Sequence, residues 1–431
     1  MTKFDAVAYV SSLNIDVMRF RLTTISELLL NLGNPQNSYK TILIAGTNGK
    51  GSTAAMTASI LQAAGYKTGL YTSPHLIDVR ERIIINKKKI SGNDFSQAVA
   101  AVKKKINRPV TYFEVLTAAA LLYFQRRKID IAVLEVGLGG RLDATNVCNP
   151  LVSVITNIGF DHMAYLGNSL TAIAREKAGI IKKHGVCVTA AKQKKVLEVL
   201  ENTCRRSKAD LYRLGKDIKI KKQENGLVTY QGVCSNLNNL TVPLTGRHQL
   251  DNTALALATL EIAGLKGFPA DVASIRKGLR NTNWEARLEI LYHNPLFVID
   301  GAHNPAGISV LCRSLKNDFT CRRVILIFSV LTDKDYRRML QKIMPLTQKI
   351  ILTQLQSERA VPVANLNEYV KKMGYKAIIT KNVAEAIRRA FDLAGKNDMI
   401  CAAGSLYLAG ELKQAFLKLP SYDKKPKLEY E

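Results

Sequence analysis

A glycine-rich turn between an apolar run and a helix-like run is the first place where this sequence can do chemistry. Residues 41–56 read TILIAGTNGKGSTAAM. The common phosphate loop has Gly, four residues and then Gly-Lys-Ser/Thr, but here only two residues separate Gly46 from Gly49, and Gly51 follows Lys50. Glycines let a backbone approach phosphate oxygens closely, and a lysine and a helix N-terminus attract them. The stretch therefore predicts a compressed phosphate-binding loop.

Polar residues also end three other apolar runs. Ser73 follows one run, Glu135 lies near the end of IAVLEVG, and His162 follows the next. Ligands bind at the carboxyl ends of the strands in open parallel sheets, so we expect these side chains to lie near the glycine loop. Oxygen ligands and an imidazole beside a phosphate loop fit a Mg²⁺ ion that bridges nucleotide phosphates. A hydrogen-bonded structural role for Glu135 is the alternative, because a buried carboxylate needs a partner.

Short apolar runs alternate with amphipathic stretches from about residue 40, which predicts a parallel sheet with helices on both faces. A polar and apolar alternation around Asn225-Gly226, in a segment that begins near residue 205, predicts a hairpin in a smaller antiparallel sheet. The α/β rhythm then restarts at Leu296. The predicted fold is α/β in two domains, residues 1–290 with the glycine loop and residues 291–431 with a Rossmann-like sheet. The predicted strands of the first domain are Thr41–Ala45, Lys67–Thr72, Ile129–Val136 and Leu151–Thr156.

Composition narrows the class of protein. The chain has 431 residues, 47% of them hydrophobic, with no run long enough to span a bilayer and no signal-peptide pattern. These features predict a cytoplasmic protein with no membrane partner. The seven cysteines are scattered without a C-x-x-C pair, which favours free thiols over disulfides or a zinc site. The net charge of +27 is compatible with nucleic acid, an anionic membrane or an acidic substrate, but a solvated basic surface is the simplest interpretation.

A set of short motifs, taken together, is far more specific than any one of them. In chain order the motifs are GTNGKGST, TSPHL…RERI, TYFEVLT, EVGLGGRLDATN, TNIGFDH, REKAGIIK, GRHQLDN, DGAHNPAG and GSLYLAGE. In combination they resemble the folylpolyglutamate synthases and the bacterial bifunctional dihydrofolate synthase/folylpolyglutamate synthases of the Mur ligase superfamily. The resemblance runs from about residue 18 to residue 411.

The resemblance implies a role for individual residues. Lys177, by itself an ordinary surface lysine, matches a lysine that reacts with CO₂ to form a carbamate, which requires a lowered pKa. His303 and Asn304 would face the nucleotide or the incoming glutamate, and Lys177, Lys50, Arg287 and His303 form the implied catalytic set. The implied Mg²⁺ ligands are Ser73, Glu135 and His162. The implied ATP contacts are Asn48, Gly49, Lys50, Gly51, Ser52, Asn252, Arg287 and Asp300. The implied pterin contacts are Thr111, Tyr112, Phe113, Glu114, Leu142, Asp143 and Ala144.

The resemblance also implies a reaction. An ATP-dependent ligase with two Mg²⁺ ions would add L-glutamate to dihydropteroate and to the γ-carboxyl of tetrahydrofolate through an acyl phosphate. A monofunctional folylpolyglutamate synthase is the alternative, and a monomer without a nucleic-acid partner is expected. The basic charge would then attract anionic folates. One departure is visible: similar proteins have W-P-G-R where this chain has Trp284-Glu285-Ala286-Arg287, and Ala adopts a positive φ less readily than Gly.

Three other functions are compatible with parts of this pattern. A peptidoglycan Mur ligase would carry a further domain before the glycine loop, where this chain has some 45 residues. A nucleic-acid-stimulated P-loop NTPase would use the basic charge and show steep salt dependence. A non-catalytic nucleotide-binding module would not need the full set of Ser73, Glu135, His162 and Lys177.

Overall fold

The computed structural model describes residues 4–13 and 21–418. Its internal contacts divide the chain into two compact units, with the division between Trp284 and Glu285. The range 1–290 as a domain that binds ATP and folate, and the range 291–431 as a C-terminal ligase domain, stay a prediction. In the described part of the chain, no helix combines the length and apolar character that crossing a membrane requires.

An eight-stranded sheet forms the centre of the first unit. Its strands are β1 Lys40–Ala45, β2 Thr68–Tyr71, β3 Ile83–Ile85, β4 Lys88–Lys89, β5 Ile131–Glu135, β6 Val152–Ile155, β7 Val186–Thr189 and β8 Asp210–Arg213. The order is β4-β3-β2-β5-β1-β6-β7-β8, and β2, β5, β1, β6, β7 and β8 run parallel. The two strands β3 and β4 pair antiparallel at one edge, so the sheet is mixed.

The centre of this sheet is buried on both faces. Leu43 and Leu134 belong to one hydrophobic cluster, whereas Ile42, Ile44 and Val133 belong to the other. Successive side chains of a strand point to opposite faces, so each central strand contributes to two cores. This explains why the strands read as continuous apolar runs rather than as alternating ones.

Helices cover both faces of the sheet. They are α1 Ala6–Ser12, α2 Thr23–Asn31, α3 Lys50–Ala63, α4 Gly92–Lys103, α5 Tyr112–Arg126, α6 Met163–Leu166, α7 Leu170–Ala178, α8 Lys194–Ser207, α9 His248–Leu265 and α10 Val272–Arg280. Helix α3 is buried along its length from Gly51 to Leu61. The hydroxyl of Ser59 donates to the carbonyl of Gly278 on α10 at 2.7 Å. Small residues let α3 and α10 approach closely here, since a Cβ on Gly278 would clash with the Cα of Ile60.

A small antiparallel sheet follows in the chain, as the Asn225-Gly226 hairpin signal predicts. Its strands are β9 Lys219–Lys222, β10 Val228–Gln231 and β11 Asn236–Leu240, in the order β11-β10-β9. The sequence pattern predicts that this sheet begins near residue 205, which is too early. Asp210–Arg213 instead forms β8 in the large sheet, parallel to β7. An isolated four-residue strand has too short a pattern to show which sheet it joins.

The second unit is a six-stranded α/β sheet. Its strands are β12 Glu289–His293, β13 Leu296–Ile299, β14 Val324–Phe328, β15 Lys349–Thr353, β16 Ala377–Thr380 and β17 Met399–Ala403, in the order β12-β13-β17-β14-β15-β16. All neighbours pair parallel except β12 with β13. The Rossmann-like prediction is thus confirmed, but β12 was not recognised because it is a half-exposed edge strand. The helices are α11 Pro305–Asn317, α12 Tyr336–Ile343, α13 Val363–Lys372, α14 Val383–Leu393 and α15 Leu406–Leu417.

The carboxylate of Glu261 on α9 holds the turn between β10 and β11. It accepts hydrogen bonds from the backbone N–H of Val233 at 2.7 Å, from the N–H of Ser235 at 3.0 Å and from the hydroxyl of Tyr230 at 3.2 Å. We expect Glu261→Gln to lower the free energy of unfolding by about 1–3 kcal/mol, because an amide NH₂ then faces donors. Urea denaturation followed by circular dichroism measures the change.

Glu198→Gln on the exposed face of α8 is the matched control, with an expected change within about 0.5 kcal/mol. Equal stability of the two variants would show that Glu261 does not hold the turn.

Candidate functional site

The glycine loop joins the end of β1 to the start of α3. Its conformation is held by the segment after β6: the N–H of Thr47 donates to the carbonyl of Asn157 at 2.9 Å, and the N–H of Asn48 donates to the Asn157 side chain at 3.0 Å. The hydroxyl of Thr47 and the backbone of Gly159 exchange hydrogen bonds at 2.9 and 3.1 Å. Two neighbouring strand ends therefore fix the loop before any ligand binds.

Side chains from other elements occupy the space where a Cβ atom would lie on the loop glycines. Gly46 faces the hydroxyl of Thr156, and Gly49, with a φ of +85°, faces the amide oxygen of Asn252 on α9. Gly51 faces the indole of Trp284, whose Cζ2 lies 2.7 Å from the position a Cβ would take. The compressed spacing therefore reflects a loop that is packed on three sides.

Lys50 opens helix α3 and lies beside Glu135. The Lys50 ammonium is 4.0 Å from the Glu135 carboxylate and 3.3 Å from the carbonyl of Thr47. Glu135 ends β5, is 5% exposed, and accepts a hydrogen bond from the N–H of Ser73 at 3.2 Å. The structure thus brings together a buried carboxylate, a serine and a lysine at the phosphate loop.

Lys177 is buried next to the same loop. It lies near the end of α7, is 5% exposed, and its ammonium nitrogen donates to the carbonyl of Gly46 at 2.9 Å. Burial, and secondarily the positive charge of Lys50, lower the pKa of Lys177 from 10.5 to about 7, although Asp161 and Asp143 act in the opposite direction. Lys177 therefore has a substantial neutral fraction near neutral pH, unlike a surface lysine.

His162 follows β6 and precedes the short helix α6. Its backbone is left-handed, with a φ of +48°. Its Nε2 lies 3.8 Å from the carboxylate of Asp161, which also accepts from the His162 N–H at 3.0 Å. The nearby Asp161 carboxylate also acts electrostatically on Lys177, so the β6 exit loop and α7 face the same region. No local pattern in the sequence singles out Asp161 for this position.

The residues at this rim fit a magnesium nucleotide. The first turn of α3 presents unpaired helix N–H groups, and its N-cap, Gly49, provides no side chain to satisfy them. The carboxylate of Glu135, the hydroxyl of Ser73 and the imidazole of His162 are metal ligands of the kind that can bind Mg²⁺ beside phosphate oxygens. In residues 4–13 and 21–418, no cluster of three or more His, Cys, Asp or Glu side chains is suited to a metal. Of the three predicted Mg²⁺ ligands, only Glu135 and His162 are of these residue types. A metal ion here would therefore also need oxygen ligands from Ser73 and from the phosphates.

The predicted pterin contacts lie at the start of α5 and after β5. Thr111 and Glu114 form a capping box: the Thr111 N–H donates to Glu114 at 2.8 Å, and the Glu114 N–H donates to the Thr111 hydroxyl at 3.2 Å. The carboxylate of Asp143 is bonded to the N–H of Leu138 at 2.9 Å and of Thr145 at 3.0 Å. Burial raises the pKa of Asp143. These polar side chains thus order the local backbone, and their contact with a pterin stays a prediction.

The remaining pterin candidates are mainly apolar. Tyr112 lies under the guanidinium of Arg82 at 5.3 Å, and the ring of Phe113 is 6.0 Å from that of Tyr71 and packs over Gly137. An aromatic surface of this kind suits a flat heterocycle. The other two candidates, Leu142 and Ala144, flank Asp143.

In the second unit, the predicted ATP contact Asp300 directly follows β13, and the predicted ATP contact Arg287 precedes β12. The carboxylate of Asp300 is 8% exposed and accepts from the N–H groups of Leu288 and Ala302, each at 2.9 Å. Nδ1 of His303 lies 2.8 Å from the carbonyl of Gly301, so it carries the proton. Asn304 caps α11 by accepting from Gly307. Arg287 is half-buried between two residues with left-handed backbones, Ala286 and Leu288. Their roles stay predictions.

The structure therefore gathers Asn48, Gly49, Lys50, Ser73, Glu135, Lys177 and Asn252 around one loop of the first unit. Ser52 is buried in the first turn of α3. The sequence did not reveal Asn157, Thr156 or Trp284 as partners of the loop, because each is more than 100 residues away from it.

Comparison with known proteins agrees with this geometry. Residues 44–260 match the Mur ligase middle domain, and residues 286–406 match the Mur ligase, glutamate ligase domain. A folylpolyglutamate synthase of Lacticaseibacillus casei is 36% identical over 97% of this chain and 99% of its own length. The chain belongs to the folylpolyglutamate synthase group of the Mur ligase family. Proteins of this group are ATP-dependent ligases.

Other proteins of this group are similar to the chain in sequence and in structure. A dihydrofolate synthase/folylpolyglutamate synthase of Bacillus subtilis is 33% identical over 91% of this chain and 94% of its own length. The structure of Escherichia coli FolC with DHPP and ADP matches with a TM-score of 0.89 and 28% identity, over 95% of this chain and 96% of that one. A bifunctional synthase with Mn, AMPPNP and L-glutamate bound matches with a TM-score of 0.88 and 29% identity, over 96% and 98%.

The contact of Gly51 with Trp284 makes the loop sensitive to one methyl group. We expect Gly51→Ala to weaken MgATP binding by about tenfold or more, since the indole or the loop must move. Titration of intrinsic fluorescence measures the affinity, because Trp284 is the only tryptophan in the sequence.

Gly264→Ala on α9 is the matched control, because its added Cβ meets Pro269 only at 3.4 Å. If the Gly51→Ala protein binds MgATP as tightly as the control does, the close packing around the loop is not required for binding.

Proposed function

We propose that this chain adds L-glutamate to dihydropteroate and to the γ-carboxyl of tetrahydrofolate with consumption of ATP. The observation that carries the proposal is Lys177, a buried lysine with a lowered pKa that contacts the phosphate loop through Gly46. A nucleotide-binding module without catalysis has no need for such a group. Relatives that are named for both activities support the two acceptors.

The phosphate loop would hold ATP while the acceptor carboxylate attacks the γ-phosphate. The loop N–H groups and Lys50 neutralise the phosphate oxygens, and positioning and charge neutralisation are the main requirements of phosphoryl transfer. The acceptor becomes an acyl phosphate and ADP leaves. The glutamate amine then attacks the acyl carbon, the bond from that carbon to the phosphate oxygen breaks, and the nitrogen loses a proton. Phosphate departs and an amide bond remains.

A divalent ion belongs to this proposal. When bound, Mg²⁺ adds positive charge at the phosphate oxygens and orients them. Ser73, Glu135 and His162 would hold one ion, and the carbamate on Lys177 would help to hold a second. A related synthase structure has Mn, AMPPNP and L-glutamate bound, which supports a divalent metal and a nucleotide as part of this proposal.

Carbamate formation needs the neutral amine of Lys177. The lone pair of Nζ attacks the carbon of CO₂, a nitrogen–carbon bond forms, one oxygen takes up the negative charge, and a proton leaves the nitrogen. The cation becomes an anion as a result. The burial that lowers the pKa of Lys177 therefore prepares the residue for this reaction.

The chemical types of the side chains suggest which residues bind the pterin, the phosphates and glutamate. Tyr112, Phe113 and Leu142 provide an aromatic and apolar surface for the pterin. Arg287 is the cation proposed for the phosphates, and His303, with Nδ1 bonded to Gly301, presents Nε2 to the nucleotide or to glutamate.

An assay for ADP release tests the activity. We expect ADP only when glutamate and either dihydropteroate or tetrahydrofolate are present with MgATP. Lys177→Ala should lower kcat by about a hundredfold or more, because a charge at the metal and phosphate site is lost. Glu135→Ala should do the same.

Lys183→Ala, at an exposed position six residues away, is the control and should keep normal turnover. Equal turnover of Lys177→Ala and Lys183→Ala would remove Lys177 from the mechanism. Stimulation of ATP hydrolysis by polynucleotides, without glutamate, would instead favour an NTPase.

The pH dependence of the carbamate follows from the pKa of Lys177 near 7. At fixed dissolved CO₂, we expect carbamate occupancy to fall as the pH falls from about 8 to about 6, and to fall more steeply below the pKa, where the amine becomes ammonium. Carbon-13 NMR of the metal-free protein with labelled bicarbonate measures this.

Lys177→Ala identifies the signal that belongs to this lysine. A carbamate signal that is constant from pH 8 to pH 6, or that persists in Lys177→Ala, would contradict the assignment.

A further inference from the structure

The C-terminal end of α7 is held by groups from outside the helix. The last carbonyls of a helix have no partner within it. Here the N–H of Arg141 donates to the carbonyl of Glu176 at 2.7 Å, the side-chain amide of Asn146 donates to that of Gly179 at 3.1 Å, and the hydroxyl of Ser153 donates to that of Ile180 at 2.8 Å. Lys177 lies within the turn that these hydrogen bonds hold.

Asn146 joins this turn to the loop after β5 through one bond and braces the loop itself through a second. Its Nδ2 donates to the carbonyl of Arg141 at 2.9 Å as well as to that of Gly179. The residue is 5% exposed, and its backbone carbonyl accepts from the ammonium of Lys182 at 2.8 Å. One buried amide group therefore links the loop and the helix end, and both of its N–H groups are used.

Close packing of the same loop leaves α7 little freedom. A Cβ on Gly140 would lie 2.8 Å from the carbonyl oxygen of Glu176, 2.9 Å from that of Lys177 and 3.0 Å from the Cα of Lys177. All three are backbone atoms, which cannot rotate away. The loop backbone thus rests directly on the residue whose side chain reaches Gly46.

The loop that contains Gly140, Arg141 and Asn146 starts directly after β5, whose last residue is Glu135. We propose that Asn146 is a positioning residue for Lys177: its buried amide ties the loop after β5 to the end of α7, and so holds the Lys177 amine at the Gly46 carbonyl and in register with Glu135. This inference rests on the proposed carbamate on Lys177. It assigns Asn146 no contact with substrate.

A positioning role has a consequence that general stability does not share. If the Asn146 amide is lost, the carbonyl of Gly179 after α7 and the carbonyl of Arg141 in the loop both lose this donor, and Lys177 is no longer held in one place. The carbamate is then formed less completely at a given CO₂ concentration. Binding of ATP to the loop, which is held separately by Asn157 and Gly159, should change little.

The experiment compares Asn146→Ala and Asn146→Asp with the wild-type enzyme. Asn146→Asp keeps the size of the side chain but replaces its two donors with an oxygen, so it remains informative if Asn146→Ala does not fold. The measurements are carbamate stoichiometry by carbon-13 NMR of the metal-free protein, the bicarbonate dependence of kcat, and KM for ATP.

We expect the bicarbonate concentration for half-maximal kcat to rise by about tenfold, the ratio that corresponds to one lost hydrogen bond of about 1.4 kcal/mol. Carbamate stoichiometry at low bicarbonate should fall in parallel, kcat should recover at high bicarbonate, and KM for ATP should stay within about twofold. Glu261→Gln is the control for lost stability, and its bicarbonate dependence should match the wild type.

Three results would overturn the inference, each in a different way. A wild-type carbamate signal together with unchanged bicarbonate dependence in both Asn146 variants refutes the positioning role alone. A wild-type enzyme with no carbamate and no bicarbonate dependence refutes the carbamate and this inference together. If the bicarbonate concentration for half-maximal kcat rises as much in Glu261→Gln, the effect of the Asn146 variants is a loss of stability. That result would also refute the inference.

Discussion

The buried contact between the Lys177 amine and the carbonyl of Gly46 is the interaction on which the rest of the site depends. An unpaired ammonium in this position would lose several kcal/mol of hydration, and the lowered pKa of Lys177 expresses that penalty. The contact exists only because α7 ends beside the exit of β1. The same burial that makes the lysine costly as a cation favours the neutral amine, which is the form that the proposed carbamate requires.

The compressed phosphate loop follows from this crowding. Thr156, Asn252 and Trp284 fill the positions where side chains on Gly46, Gly49 and Gly51 would lie. A longer loop would have to displace these neighbours or move away from Lys177. The three glycines are therefore set less by the phosphates than by the protein groups that surround the loop. Those groups come from the segment directly after β6, from α9 and from the end of the first unit, so three separate elements restrict the loop.

Central elements could be predicted from the sequence, whereas edges and long-range partners could not. The strands at Thr41–Ala45 and Leu296–Ile299 are buried on both faces and give continuous apolar runs, so they were located to within about one residue. Strands β4 and β12 are short or half-exposed edges and give no such run. Lys177 has the local pattern of a surface lysine; only the family resemblance singled it out, and its burial depends on tertiary packing. The link from Asn157 to the loop has no local signal at all.

Ala286 shows how a departure from the family pattern is accommodated. Its φ is +54°, so the backbone keeps the left-handed conformation that suits glycine. Such a conformation costs about 1–2 kcal/mol for a residue with a Cβ. Bonds on both sides oppose that cost: the Ala286 N–H donates to Glu289 at 2.7 Å, and the Ala286 carbonyl accepts from the N–H of Gly301 at 2.8 Å. Leu288 is also left-handed and is tied to Asp300 at 2.9 Å. The turn that presents Arg287 is therefore determined by its hydrogen bonds, and glycine is not needed to form it.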